Sequence, residues 1–167
     1  MKTVFIGKNN KPYAISDLEI VNILNNEELL NMYSMSELHE LYTKYFGVYV
    51  AKYPYILSQK IKLYDNSDNV NSFFVKGKKT WLDKATRVGL MHLINCSSES
   101  VQLVLGNELI TFPIDQAKNF LTRLELYASQ CYLQTQKHLS AVKELKTVEE
   151  VLNYDYTAGY PEKITLE

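Results

Sequence analysis

The chain has 167 residues, 46% of them apolar, and a formal net charge of −1. That length suits one medium domain, or one domain with an appended lobe, and allows a self-sufficient core. The near-neutral balance, without a basic stripe, argues against a general nucleic-acid binder, and no segment reaches transmembrane length.

The N-terminal stretch MKTVFIGKNN has too short an apolar run for a signal peptide, so the chain reads as soluble and made in the cytoplasm. Within it, Thr3 to Gly7 predicts a strand, and the following KNNKP a turn. Ser16 to Glu19 is a capping box, opening a short helix through Ile20, Ile23 and Leu24. A second box, Ser34 to Glu37, starts a helix in which Leu38, Leu41, Tyr42, Tyr45 and Phe46 recur at helical spacing, with Gly47 as its stop.

From Val48 to Leu63 the chain is rich in β-branched and aromatic residues, which predicts extended structure, with Pro54 at an edge or connection. Asp65 to Asn69 is a loop, and VNSFFV a further strand. Lys76-Gly77-Lys78-Lys79 is either a solvated turn or a phosphate contact. A helix opens at the capping pattern Thr80 to Asp83, and Trp81, Leu82, Ala85, Val88, Met91 and His92 carry a helical period towards Asn95.

VQLVLGNELITF reads as a hairpin whose strands, Val101 to Leu105 and Leu109 to Phe112, flank a type II′ turn at Gly106-Asn107. Pro113 ends it, and Asp115 caps the next helix. That helix, the longest element, runs from about Ile114 to Leu145. Ala117, Leu121, Leu124, Ala128, Cys131, Thr135, His138, Val142 and Leu145 alternate four and three apart along it, and Phe120, Tyr127 and Tyr132 widen this seam. Such a helix packs on its own domain or is shared between subunits. Thr147 to Glu150 is one more capping box, and the extended strip from Asn153 to Glu167 closes the chain.

These elements predict an α+β fold, with short helices and strands in the N-terminal half and a β-hairpin followed by a long helix in the C-terminal half. Residues 1–75 form an N-terminal lobe for attachment or packing, and residues 76–167 the hairpin and long-helix domain with its extended tail.

Chemistry is sparsely signalled. His92 and Cys96 lie four apart, and only Cys131 and His138 are left to complete a soft metal set; the competing reading is four separate packing residues, with both thiols buried and His92 at a core edge. One disulfide between the two cysteines is also compatible. His39 lies on the polar edge of its helix. There is no GxSxG elbow, no Walker glycine loop, and the paired glutamates sit at helix starts, where the dipole favours them. This predicts no enzyme, no cofactor and no small-molecule substrate.

Tyrosine is the excess residue, with 13 copies, clustered at Tyr42 to Tyr64 and Tyr154 to Tyr160. A large apolar face with one polar handle suits interfaces, although tyrosines also finish core edges.

The order of the C-terminal half, WLDKATRVGLMHLI, then the hairpin, then the long helix, then TVEEVLNYDYTAGYPEKITL, resembles an uncharacterised domain of small phage and prophage proteins. Such proteins are often encoded beside tail or tail-fibre genes, and the most similar belong to phages of gut Bacteroidota, including crAss-like phages. The resemblance covers Thr80 to Leu166 and rests on Arg87, the Asp115 helix start, Cys131 with His138, and Tyr154-Asp155 with Gly159-Tyr160-Pro161. It implies a virion component or assembly factor and carries no catalytic residue.

Residues and resemblance together predict a structural component of a tailed-phage virion, in head or tail, made in the host cytoplasm and resident in the particle. It would bind itself, as a dimer or trimer, and other virion proteins, without membrane or nucleic acid. The expected interface comprises Leu121, Leu124, Tyr127, Ala128 and Tyr132 on the long helix, with Tyr154, Tyr156, Tyr160 and Pro161 of the strip laid along a neighbour's sheet edge. Alternatives are a tail-fibre assembly chaperone absent from the virion, and a small metal-dependent enzyme.

Overall fold

The computed structural model describes residues 3–6 and 12–15 as backbone, and residues 31, 33–39, 53–105 and 108–166. The helix expected after Ser16, most of the one ending at Gly47, and the Gly106-Asn107 turn lie outside the described residues.

The fold is α+β. In chain order the strands β1 (Thr3–Ile6) and β2 (Pro12–Ile15) pair antiparallel, with Thr3 opposite Ile15. Then come helix α1 (Tyr53–Asp65), strands β3 (Phe73–Val75) and β4 (Lys78–Thr80), helix α2 (Lys84–Cys96), and strands β5 (Ser100–Leu105) and β6 (Glu108–Pro113). Helix α3 (Ile114–Glu144), helix α4 (Val148–Leu152) and strand β7 (Thr165–Leu166) complete the order. The strands form three small sheets, β1-β2, β4-β3-β7 and β5-β6.

Two compact units interleave along the sequence. Residues 1–64 and 135–158 make the first, and residues 65–134 and 159–167 the second. A single boundary at residue 75 therefore does not describe the chain: α3 contributes its first two-thirds to one unit and its last third to the other.

In the first unit the capping box at Ser34 forms as expected. Glu37 N donates to Ser34 Oγ (3.2 Å), and Ser34 N donates to Glu37 Oε2 (2.8 Å), at the head of a helical turn over residues 35–39. The extended structure expected from Val48 to Leu63 is corrected from Tyr53 onward, where Tyr53–Asp65 is helical; residues 48–52 lie outside the described residues. Tyr53, Ile56, Leu57, Lys60 and Ile61 are buried at a three-to-four spacing, and burial of that stripe overrides the β preference of individual residues. Pro54 sits in the first turn, where its missing N–H has no helical acceptor to satisfy. The stripe meets Tyr33, Met35 and Leu38, with Val142 of α3 and Val151 of α4. Lys60 is buried among them, and burial pulls its ammonium pKa down, with Glu37 acting in opposition. The box at Thr147 also forms in full: its hydroxyl accepts from Glu150 N, and the Glu150 carboxylate accepts from Thr147 N.

In the second unit, Lys76 and Gly77 have φ of 46° and 76°, both left-handed, so the basic cluster is a tight two-residue hairpin turn between β3 and β4. Lys78 pairs with Glu108 at 2.6 Å, and Lys79 more loosely with Asp68 at 3.6 Å, on the exposed side of the turn. Asp83, not Thr80, caps α2, accepting from Thr86 N at 2.7 Å; Thr80 belongs to β4. The buried face of α2 is Arg87, Leu90 and Ile94, whereas Ala85, Val88, Met91 and His92 are exposed. The hairpin register, Val101 opposite Phe112 and Leu105 opposite Glu108, extends one residue beyond the expected strands at three of their four ends. The unit's aromatic centre is built from Phe73, Trp81, Phe112, Phe120 and Tyr127, with Phe112 stacked on Phe120.

Candidate interaction site

Helix α3 is about 46 Å long at 1.5 Å per residue. Its four-three seam is legible in the burial pattern: Ala117, Leu121, Leu124, Cys131, Thr135, His138 and Val142 are buried, and Ala128 and Leu145 half-buried. The seam is therefore covered by the chain's own residues. Leu121, Leu124 and Tyr127, placed in a subunit interface by sequence reasoning, are buried at no more than 7% exposure; Tyr127 also donates its hydroxyl to Val70 O at 2.6 Å. Of the α3 set only Tyr132 is open, at 59% exposure.

The face opposite the seam carries what period-counting missed. Leu126 and Leu133, seven residues apart, are 57% and 54% exposed. They stand among Thr122, Ser129, Gln130 and Ser140, so the helix is apolar at two places on a polar face. A second apolar spot lies near the tip of the β5-β6 ribbon, where Val104 and Leu109 are directly paired across strands and both exposed. The signal was available in the sequence: a heptad step falling off the main seam, and strand alternation that puts Val104 and Leu109 on one face. An open groove of about 480 Å³ between α2 and α3 has an aliphatic lining of Val88, Met91, Ile94 and Leu121, with Lys84 and Lys118 beside it.

The C-terminal strip is folded back onto its own chain. In the first unit His138, at 5% exposure, uses both ring nitrogens. Nε2 lies 2.9 Å from Ala158 O, a carbonyl that only accepts, so Nε2 carries a proton. In the neutral ring Nδ1 then accepts from the Tyr154 hydroxyl at 2.8 Å. Burial, then the neighbouring Asp155, pushes the Tyr154 phenol pKa up, so it remains a donor. Tyr156 packs edge-on to Tyr64 of α1, and burial raises its phenol pKa too. Asp155 accepts from Thr157 N and Oγ1, which holds its carboxyl below the usual range. Tyr154→Phe deletes the donor to His138 and is expected to lower stability by about 1–2 kcal/mol in urea titration, with the helical circular-dichroism spectrum unchanged.

In the second unit, Gly159 has φ of 78°, and a Cβ there would lie 2.5 Å from Gln134 Nε2. Gly159→Ala therefore carries a left-handed backbone cost of about 1–2 kcal/mol and displaces the Gln134 amide as well; a thermal melt within error of the parent would contradict this. Tyr160 and Pro161 are half-buried, Ile164 is buried, and β7 runs parallel to β3 with Thr165 opposite Phe74. The strip does extend a sheet edge, but the edge is the chain's own β3. Lys163 donates to Asp68 O and Ser72 Oγ, and burial pulls its pKa down.

Among the described residues no group of three or more His, Cys, Asp or Glu side chains is placed to hold a metal ion. Both cysteines are free. Cys131 is buried, and burial pushes its thiol pKa up; Cys96 is exposed, which corrects the expectation of two buried thiols, and His92 is exposed beside it. His39 is half-buried, with Nδ1 2.9 Å from the Tyr53 hydroxyl. No helix among the described residues is long and apolar enough to cross a membrane. No protein-family model, curated protein or solved structure matches the chain.

Proposed function

We propose that the chain is an assembly module, a structural component of a tailed-phage virion that acts by protein–protein contact, made in the host cytoplasm and retained in the particle. The observation that carries the reading is the outward face of α3, where Leu126 and Leu133 are both more than half exposed among polar residues, with Tyr132 equally open at the edge of the seam. Exposed aliphatic side chains at heptad spacing suit a second helix, and burying the still-exposed half of each leucine contributes about 1–1.5 kcal/mol. The resemblance of Thr80 to Leu166 to domains of small phage proteins supplies the setting.

Light scattering of the purified chain across concentration tests the contact. The double variant Leu126→Lys/Leu133→Lys is expected to weaken self-association by at least about 100-fold while shifting the melting curve little, because both side chains are already solvated in the single chain. A parent that stays monomeric at high concentration and binds no particle protein would defeat the proposal. Mass spectrometry of purified phage particles separates building block from chaperone: stoichiometric copies favour the first, absence from the particle the second.

A further inference from the structure

The outer face of α2 holds the one pairing of soft and imidazole donors that the described side chains bring together. His92 Nε2 and Cys96 Sγ stand 3.8 Å apart, one helical turn from each other, and both are exposed. A tetrahedral zinc-class ion with one nitrogen and one sulfur ligand, at about 2.0–2.1 and 2.3 Å, separates those two atoms by about 3.6 Å. The pair is thus within a few tenths of an ångström of chelating geometry without any change of backbone.

Two donors fill half of a tetrahedral shell, and nothing else in the described residues completes it. The rest of the face explains how a second half could arrive. Ala85 and Gly89 continue the row of His92 and Cys96 along the helix, away from the buried Arg87, Leu90 and Ile94. A Cβ added at Gly89 would meet nothing within 4 Å, so the surface there is open. Val88 and Leu93 flank the row and are each about half exposed. A two-fold axis through this face would bring another α2 to a helix-packing distance of about 8–10 Å and set both donor pairs around one point.

We propose that His92 and Cys96 form half of a structural site for a borderline-soft divalent cation of the zinc class, completed by the same two residues of a second copy. Each thiol releases its proton to solvent when the ion binds, so two protons leave and two thiolates balance the double positive charge. Binding therefore tightens as pH rises, and it joins the copies by a link that chelators break. This site is separate from the α3 row, whose self-association is indifferent to chelator.

Cobalt(II) added to the full chain under a phosphine reductant tests the site. The expected result is a thiolate-to-cobalt charge-transfer band with intense tetrahedral ligand-field bands, saturating at one ion per two chains as the light-scattering mass doubles. Zinc should displace the cobalt and keep the doubled mass. His92→Ala and Cys96→Ser should each abolish the bands and the metal-dependent doubling; both residues are exposed, so the metal-free melting curves should match the parent. Saturation at one ion per chain with unchanged mass, the absence of a thiolate band, or full binding by Cys96→Ser would each overturn the proposal.

Discussion

Truncation after Tyr160 is expected to lower the melting temperature by at least about 4–16 °C, the shift that the loss of about 2–4 kcal/mol in Ile164→Ala alone would give. Ile164, at 8% exposure, is the one buried residue among the described residues after Tyr160. Around it the backbone is committed: Phe74 N donates to Ile164 O at 2.9 Å, and Lys76 N donates to Leu166 O at 2.8 Å. Without β7, β3 keeps only β4 as a neighbour among the described strands, and the amides of Phe74 in β3 and Lys76 in the turn lose their acceptors. Ser72, at 1% exposure, also loses the Lys163 ammonium as a donor to its hydroxyl, although it keeps its own bond to Asp68 O. A strip laid along a neighbour, as the sequence alone suggests, would have the opposite balance: deleting Tyr154 to Glu167 would weaken oligomerisation or incorporation more than it lowers the melting temperature. Differential scanning calorimetry of the truncated chain decides between them: a melt within 2 °C of the parent, against the shift of about 2–4 °C expected per kcal/mol, would mean that β7 contributes almost nothing.

What the sequence disclosed and what it concealed divide along a physical line. Two local capping signals and one long periodic signal agree with the structure. The boxes at Ser34 and Thr147 form because their donors and acceptors lie within four residues of each other, and the seam of α3 is buried almost position by position because a long amphipathic helix has one way to hide its stripe. Non-local choices were not legible. Near Tyr53 the local signals conflict: β-branched and aromatic composition favours extension, while Tyr53, Ile56, Leu57 and Ile61 keep helical spacing, and packing against Leu38 and Val142, far along the chain, decides for the helix. Nothing in Thr165-Leu166 names β3 as its partner across some ninety residues. The tyrosines of the strip illustrate the same limit. Tyr154 and Tyr156 have the composition of an interface, but their partners are His138 and Tyr64 of the same chain. Composition reports that an amphipathic surface will be used and is silent on whether the neighbour is the same molecule.

Arg87 is the other place where pattern misled, and it yields the last large effect. A charged residue on the buried stripe of α2 breaks any count based on apolar residues. It is tolerated because its Nε donates to Glu125 Oε1 at 2.7 Å, Nη1 donates to Leu82 O at 2.7 Å, and its guanidinium lies 5.3 Å from the centre of the Trp81 ring. The two partners differ in exposure: the Arg87 side chain is 8% exposed and that of Glu125 50%. Water therefore takes over readily from Arg87 at the carboxylate, but not from Glu125 at the guanidinium. Glu125→Ala strands a nearly dry cation and is expected to cost about 2 kcal/mol, whereas a wholly surface pair would cost under about 1. Arg87→Ala removes the packing over Trp81 as well and should cost about 3 kcal/mol, with a change in emission of the single tryptophan. Arg87→Met keeps the volume and the apolar stem, so it should cost less than either. Added to Glu125→Ala, it should recover about 1 kcal/mol, because no buried charge then lacks its counter-ion. Urea titrations of the four variants give the order directly. Additive losses in the double variant would show that Arg87 and Glu125 act independently, and that Trp81 and Leu82 O alone hold the arginine in place.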